Sequence, residues 1–166
     1  LQFYDLKIFA PNQRVEMIEI IISQFKPDLV IVDGIRDLVF DINNPEEATR
    51  RTGDLMRWAD QHDCQILNIL HQNKGNEHPR GHLGTEMINK SETVMKVEQD
   101  ESGLIVCSPE YTRAKAFEMF AFDRDEHGMP VIVEGYAGRI EISGGDSSSP
   151  KKKIDATDIR YNSIHE

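Results

Sequence analysis

The chain has 166 residues, 39% of them hydrophobic, and a formal net charge of −10. This length fits one domain of ordinary size plus a tail, with enough apolar residues for a core. The acidic balance argues against a basic surface that coats nucleic acid, although it leaves room for a local basic site. Cys64 and Cys107 lie far apart in separate apolar runs, which predicts reduced core residues of an intracellular protein.

The sequence shows no signal peptide and no long apolar span, so we expect no membrane partner and a cytoplasmic location. It begins at Leu1 without an initiator Met, and its hydrophobic patterns are interrupted at both termini. We therefore expect a fragment cut from a longer protein.

The first half of the sequence predicts alternating strands and helices. Alternating apolar residues and continuous apolar runs predict the strands, and spacings of three and four predict the helices. The run that begins at Leu29 is typical of a strand buried on both faces. Asn44, Pro45 and Glu47 are typical of a helix start. The predicted elements are strands over 1–9, 29–32 and 65–70, helices over 11–25 and 45–62, and a polar-tipped loop over 34–44.

Two successive strand–helix–strand passages predict a parallel sheet with right-handed crossovers. The pattern changes after residue 70, where a loop over 71–83 and a short helix over 84–90 are expected. The four strands that follow, separated by Gly-containing turns, read as antiparallel and are expected to extend one edge of the parallel sheet. They are predicted over 93–99, 104–108, 117–123 and 130–134.

These elements predict an α/β domain over 1–143. Residues 144–166 begin with a polar, charged linker and continue into a new amphipathic pattern. We therefore expect 144–166 to be a linker followed by the start of a truncated segment.

A carboxylate follows the most apolar strand. Asp33 and Gly34 come directly after the run at 29–32, and ligands of open α/β sheets bind at the carboxyl ends of the strands. An aspartate held there suits Mg²⁺, directly or through water, as in a Walker B motif. The alternative is an aspartate that caps a helix or holds a loop. The phosphate-binding motif G-x-x-x-x-G-K-[ST] does not occur in these residues.

The next predicted strand also ends in polar residues. His71 and Gln72 follow Leu70, so they should lie beside the same crevice as Asp33. Either side chain suits contact with a terminal phosphate or a polarised water, and such a contact changes when the phosphate leaves. The alternative for His71 alone is a strand-end histidine with an ordinary hydrogen bond.

Together, the segments 27–34, 70–75 and 80–86 resemble the RecA-like ATPase core. The sequence is similar to hexameric replicative helicases of the RepA and DnaB type. In particular, it resembles ATPase/helicase proteins of Bacteroides-type mobilisable transposons. The resemblance covers about residues 1–134, the last two-thirds of such a core. In that family the Walker A loop and a catalytic glutamate lie upstream, so these residues alone are expected to be inactive.

The resemblance implies an ATP site in the intact parent protein. Asp33 matches the Walker B acid that holds Mg²⁺ through water, and Gly34 and Gln72 lie at the cofactor. His71 and Gln72 match the sensor at the end of the central strand. No ATP or Mg²⁺ is expected to be bound by this fragment alone.

The resemblance also implies roles for four basic residues. Lys74 and Arg80 lie on the loop that faces a ring's central channel, where they would hold the backbone of single-stranded DNA. The alternative is a solvated loop without a ligand. Arg113 and Lys115 match a basic pair that reaches the γ-phosphate of a neighbouring subunit as an arginine finger. The family order is Lys-x-Arg, whereas this chain has Arg-x-Lys.

We thus expect part of an ATP-driven helicase or translocase of a mobile genetic element, which self-associates into a ring. Two alternatives stay open. One is a transition-metal site on a histidine-rich loop, and the other is a non-catalytic oligomerisation scaffold. The candidate metal ligands are His71, His78, His82, Glu77 and Glu86.

Overall fold

The structure, a computed structural model, describes residues 1–71 and 81–136. These residues form a mixed α/β arrangement with one parallel and one antiparallel sheet. The elements are α1 (Pro11–Phe25), β1 (Leu29–Asp33), a 3₁₀ helix (Ile35–Leu38), α2 (Pro45–His62), β2 (Gln65–Ile69), α3 (Gly81–Lys90), β3 (Thr93–Gln99), β4 (Ile105–Thr112), β5 (Phe120–Arg124) and β6 (Pro130–Val133).

The two long helices begin and end where the sequence predicts. The side chain of Gln13 accepts a hydrogen bond from the Ala10 amide at the start of α1. Asn44 caps α2 by accepting hydrogen bonds from two backbone N–H groups of its first turn, and Pro45 needs no such partner. Both helices end at a residue in the left-handed region, Lys26 after α1 and Asp63 after α2.

The predicted strand over 1–9 is wrong. Residues 1–6 have no regular structure, and a turn follows in which the amide of Phe9 donates to the carbonyl of Leu6. A segment of alternating apolar and polar residues forms a strand only where a neighbouring strand supplies backbone hydrogen-bond partners. None of the described strands pairs with this segment. Among the described residues, one strand–helix–strand passage therefore joins parallel strands, from β1 through α2 to β2.

The parallel sheet consists of β1 and β2. Leu29 pairs with Gln65 at one end, and Asp33 pairs with Ile69 at the other. Contrary to the prediction, β1 is buried on one face only: Val32 is buried, whereas Ile31 is 55% exposed. A continuous apolar run does not reveal whether both faces are covered, which depends on the other layers of the domain.

The core lies on the buried face of this sheet. It combines α1, β1, the 3₁₀ helix, α2 and α3, and it includes the fully buried side chain of Trp58. Cys64 belongs to this core, and both it and Cys107 are buried and unpaired, as predicted. Burial raises the pKa of both thiols. The core residues are Val15, Ile18, Ile22, Val32, Ile35, Leu38, Val39, Ala48, Leu55, Trp58, Cys64 and Leu83.

The antiparallel strands form a separate sheet in the order β3-β4-β5-β6. This corrects the expectation that they extend an edge of the parallel sheet. Each strand pairs with its neighbour in sequence, so the four strands satisfy one another's ladders without β1 or β2. The bounds of β4 and β5 also differ from the prediction, since β4 continues to Thr112 and β5 begins only at Phe120.

Two tight turns of the same kind build this sheet. In the turn between β3 and β4, the amide of Gly103 donates to the carbonyl of Asp100, and Gly103 has a φ of 92°. In the turn between β5 and β6, Gly128 with a φ of 78° donates to Asp125 in the same way. Each aspartate carboxylate also accepts a backbone N–H two residues further on, at 2.9 Å.

The predicted short helix is confirmed as α3, which begins three residues earlier than expected. The predicted linker and truncated segment over 144–166 lie outside the described residues. Among the described helices, none is long and apolar enough to cross a membrane.

Candidate functional site

Asp33 is the last residue of β1, and its register partner Ile69 is the last residue of β2. The carboxyl ends of the two parallel strands therefore coincide. The Asp33 side chain is exposed, whereas Val32 directly before it is buried in the core. Within the described residues the carboxylate caps no helix and accepts no hydrogen bond, so it is open to solvent at the edge where α/β ligands bind.

Gly34 lets the chain pass close to the end of β2. A Cβ at this position would lie 3.3 Å from the carbonyl oxygen of Ile69, which is tight for a side chain. Immediately afterwards the chain enters the core, because Ile35 is completely buried. The segment that follows Asp33 therefore packs Ile35, Leu38 and Val39 against the core, while the polar residues of the predicted loop, Arg36, Asp37 and Asp41, are exposed. This packing fixes the position of the carboxylate.

Arg14 on α1 joins the turn that precedes α1 to the 3₁₀ helix that follows Asp33. Its guanidinium donates to the carbonyl oxygens of Leu6 and Lys7 at 3.1 and 2.9 Å, and to that of Asp37 at 2.8 Å. The Arg14 side chain is mostly buried, and a 3.7 Å ion pair to the Asp37 carboxylate adds to these bonds. Sequence reasoning missed Arg14, since its partners belong to segments without a motif.

Glu47 holds the rest of the connection between β1 and α2. Its carboxylate accepts hydrogen bonds from the amides of Phe40 and Asp41 at 3.0 and 2.9 Å. Because charged acceptors form strong hydrogen bonds, this contact orders the connection. The sequence assigns Glu47 only to the helix start, so its second role was missed.

The start of α3 lies against the same connection. Gly81 has a φ of 62°, and a Cβ there would come within 2.5 Å of the Asn43 side chain and 2.7 Å of the Ile42 carbonyl oxygen. Only glycine fits such a position without strain. His71, at the end of β2, is exposed. His71 therefore lies just after the end of β2, and the start of α3 lies against the connection that leaves β1.

Several predicted site residues cannot be placed. The sensor residue Gln72 and the two DNA-binding candidates Lys74 and Arg80 lie outside the described residues. The same is true of Glu77 and His78 from the alternative metal site. His82 is exposed on α3, one turn before the half-buried Glu86. In the parts of the chain that the structure describes, no group of three or more His, Cys, Asp or Glu residues is arranged to hold a metal ion.

Arg113 is engaged at the carboxyl end of α3. Its guanidinium donates to the carbonyl oxygens of Asn89 and Ser91 at 2.9 and 3.2 Å, and Glu92 lies 3.8 Å away. These carbonyls have no partner within the helix, so Arg113 acts as a C-terminal cap. The guanidinium remains about half exposed, at 47% for the side chain.

Lys115 lies in the connection between β4 and β5 and is exposed. Among the described residues it has no hydrogen-bond or ion-pair partner. Neither Lys115 nor Arg113 has a described contact with Asp33. The structure therefore places the predicted basic pair and the predicted Mg²⁺ ligand in separate parts of the chain.

The site consists of one exposed carboxylate at the end of β1, the exposed His71 two residues after the end of the neighbouring strand β2, and the anchored connection that leads from β1 to α2. Such an edge can bind a hydrated cation and the anion that the cation carries. No protein-family model and no curated protein matches this sequence.

Proposed function

We propose that residues 1–143 are part of a RecA-like ATPase domain, which belongs to a helicase or translocase of a mobile genetic element. The observation that carries this proposal is the position of Asp33. Its exposed carboxylate lies at the coincident carboxyl ends of two parallel strands, directly after a buried valine. A Walker B aspartate needs this combination of a rigid strand and an open tip.

In this function Asp33 holds Mg²⁺ through a coordinated water. A magnesium ion held there would supply positive charge that stabilises the phosphate groups during phosphoryl transfer. The phosphate-binding loop, for which these 166 residues contain no motif, is supplied by another part of the intact protein. Gly34 keeps the backbone close to β2, and His71 with Gln72 senses the terminal phosphate from the adjacent strand end.

The exposed face of β1 and β2 supports membership of a larger domain. Leu29, Ile31 and Leu67 are exposed on this face, although parallel sheets are normally covered on both sides. A RecA-like domain covers both faces of its central sheet with helices. The antiparallel sheet is separate from β1 and β2 among the described residues, so the joining strands of such a domain would also come from elsewhere.

In this proposal the two basic residues Arg113 and Lys115 have different roles. Arg113 is already bonded to the end of α3, so it positions the connection between β4 and β5. Lys115 is exposed without a described partner and is free to reach the γ-phosphate in a neighbouring subunit. ATP hydrolysis would then occur between subunits of a ring, while Lys74 and Arg80 hold single-stranded DNA in its channel.

Isothermal titration calorimetry of the intact protein with Mg-ATP tests the proposal. Asp28 lies just before β1 and is also exposed, so Asp28→Asn is a matched control for Asp33→Asn. We expect Asp33→Asn to weaken Mg-ATP binding by about tenfold or more, equal to about 1.4 kcal/mol. Asp28→Asn should bind as the wild type does.

Two outcomes would overturn the assignment. If the intact wild-type protein does not bind Mg-ATP, the ATPase function is wrong. If Asp33→Asn and Asp28→Asn bind Mg-ATP equally well, ATP binding stands but Asp33 is not its magnesium ligand. Circular dichroism of both variants checks that they are folded.

A further inference from the structure

The backbone just before Lys115 is held by two hydrogen bonds. The hydroxyl of Thr112, the last residue of β4, donates to the carbonyl oxygen of Ala114 at 2.9 Å. The amide of Arg113 donates to the carbonyl oxygen of Glu92 at 3.0 Å, directly before β3 begins. Lys115 is the next residue after this bonded segment, so the backbone that carries its side chain starts from a fixed point.

The side chain of Arg113 joins the same segment to α3. Its guanidinium donates to the carbonyl oxygens of Asn89, inside α3, and of Ser91, one residue after it. A planar guanidinium that donates two hydrogen bonds fixes an orientation as well as a distance. The segment that carries Lys115 is therefore oriented relative to the carboxyl end of α3.

That end of α3 is itself anchored in the core. The amide and the hydroxyl of Ser91 both donate to the carbonyl oxygen of Met87, at 2.9 and 2.6 Å. The Met87 side chain packs against the core, where its sulfur lies 3.8 Å from the Thr52 hydroxyl of α2. The carbonyl groups that Arg113 binds therefore belong to a helix end with a fixed place in the α/β part of the chain.

The antiparallel sheet has its own buried residues. These are Val106, Cys107 and Ala121, and they lie outside the core that contains Met87 as a packing neighbour. Among the described residues, that core includes no member of β3 to β6. The hydrogen bonds of Arg113 therefore reach from the antiparallel sheet to α3 where the core does not.

We propose that Arg113 is the positioning residue for Lys115 and that it acts through α3. The first turn of α3 lies against the connection that leaves Asp33, and its last turn binds Arg113. Ten helical residues span about 15 Å, so one short rigid helix links the two segments. This inference rests on the proposed function, in which Lys115 reaches the γ-phosphate of a neighbouring subunit.

Steady-state ATPase assays of the intact protein test the inference. Arg113→Ala should lower kcat by about tenfold to a hundredfold, because a misplaced group loses catalytic effect steeply with distance. Its Kd for Mg-ATP, measured by calorimetry, should stay unchanged, since Arg113 itself does not touch ATP. Arg113→Lys should recover most of kcat, because a lysine can also donate to the last carbonyl groups of a helix.

Arg124→Ala is the matched control. Arg124 is an exposed arginine at the end of β5, and its side chain has no described hydrogen bond or ion pair. This variant should keep the kcat of the wild type. If circular dichroism shows that Arg113→Ala does not fold, Arg113→Met replaces it, because methionine keeps much of the apolar stem and donates no hydrogen bond.

A double variant separates positioning from a direct role. If Arg113 acts only by placing Lys115, then Arg113→Ala combined with Lys115→Ala should have the same kcat as Lys115→Ala alone. If the two losses multiply instead, Arg113 acts independently of Lys115 and the inference is wrong.

The remaining outcomes distinguish this inference from the function on which it rests. A normal kcat in Arg113→Ala beside a low kcat in Lys115→Ala would overturn the inference and leave the proposed function standing. An equal loss in Arg124→Ala, or a weaker affinity of Arg113→Ala for Mg-ATP, would also overturn the inference alone. A wild-type protein without ATPase activity, or a normal kcat in Lys115→Ala, would overturn the proposed role of Lys115 and the inference with it.

Discussion

The amide nitrogen of Leu83 donates a 3.1 Å hydrogen bond to the carbonyl oxygen of Ile42. This bond joins the first turn of α3 to the connection that follows Asp33. Leu83 is also completely buried, so α3 is anchored by both its backbone and its side chain. The connection between β1 and α2 is therefore held in part by a helix that is distant in sequence.

The backbone at Gly81 should tolerate no side chain. Its φ of 62° and its closeness to Asn43 and Ile42 predict that Gly81→Ala lowers the free energy of unfolding by about 1–3 kcal/mol. Gly53 is a matched control, because it lies inside α2 and a Cβ there meets nothing within 4 Å. Gly53→Ala should raise the free energy of unfolding by about 0.5–1 kcal/mol. Urea denaturation measures both, and a stabilising Gly81→Ala would contradict the described contact.

Arg113 and Lys115 should differ in their effect on stability. Arg113→Ala removes two hydrogen bonds to the end of α3, so we expect the free energy of unfolding to fall by about 1 kcal/mol. Lys115→Ala removes no described contact and should change it by less than about 0.5 kcal/mol. Thermal or urea denaturation of the two variants decides this, and equal stabilities would argue against the capping role of Arg113.

The proposed roles of Asp33 and Lys115 predict complementation between subunits. In the intact protein, Lys115→Ala should lower the kcat of ATP hydrolysis by about 10³-fold, the range found for fingers supplied by a neighbour. Asp33→Asn should also be inactive. Mixed rings that contain both variants should recover part of the activity, because some interfaces then pair an intact Asp33 with an intact Lys115. Steady-state ATPase assays of the mixture measure this recovery. If no activity returns, Asp33 and Lys115 do not act on one ATP from neighbouring subunits.

The ion pair between α1 and α2 should make stability depend on pH. The Arg57 guanidinium lies 2.6 Å from a carboxylate oxygen of Glu19, and this hydrogen bond lowers the pKa of Glu19. A carboxylate with a lowered pKa stabilises the fold above its unfolded-state pKa, and this contribution disappears as the pH falls through the folded-state pKa.

Glu19→Gln should therefore lower the urea midpoint at neutral pH, and the difference from the wild type should vanish well below about pH 4. Both partners are about 40% exposed, so the effect should be small and should shrink at high salt. Glu16→Gln on the same helix is the control, because Glu16 has no described ion pair. A difference that persists in acid would show that Glu19 stabilises by another route.

Local chemistry explains why some elements could be predicted and others could not. The caps of α2 were predictable, because Asn44 and Pro45 act on their own helix. The placement of Asp33 at a strand end was also predictable, because the residue directly follows the apolar run that forms the strand. The separate antiparallel sheet, the single buried face of β1 and the bonds from Arg14 were not, since each depends on which distant segments meet.

The two matching turns at Asp100 and Asp125 have a consequence for the order of folding. Each brings together strands that are adjacent in sequence, so the loop that must close is short and its entropic cost is low. The pairing of Leu29 with Gln65, in contrast, has to wait until all of α2 has crossed over. Protection of amide hydrogens during refolding should therefore arise first in the antiparallel strands β3 to β6 and only later in β1, which ends at Asp33.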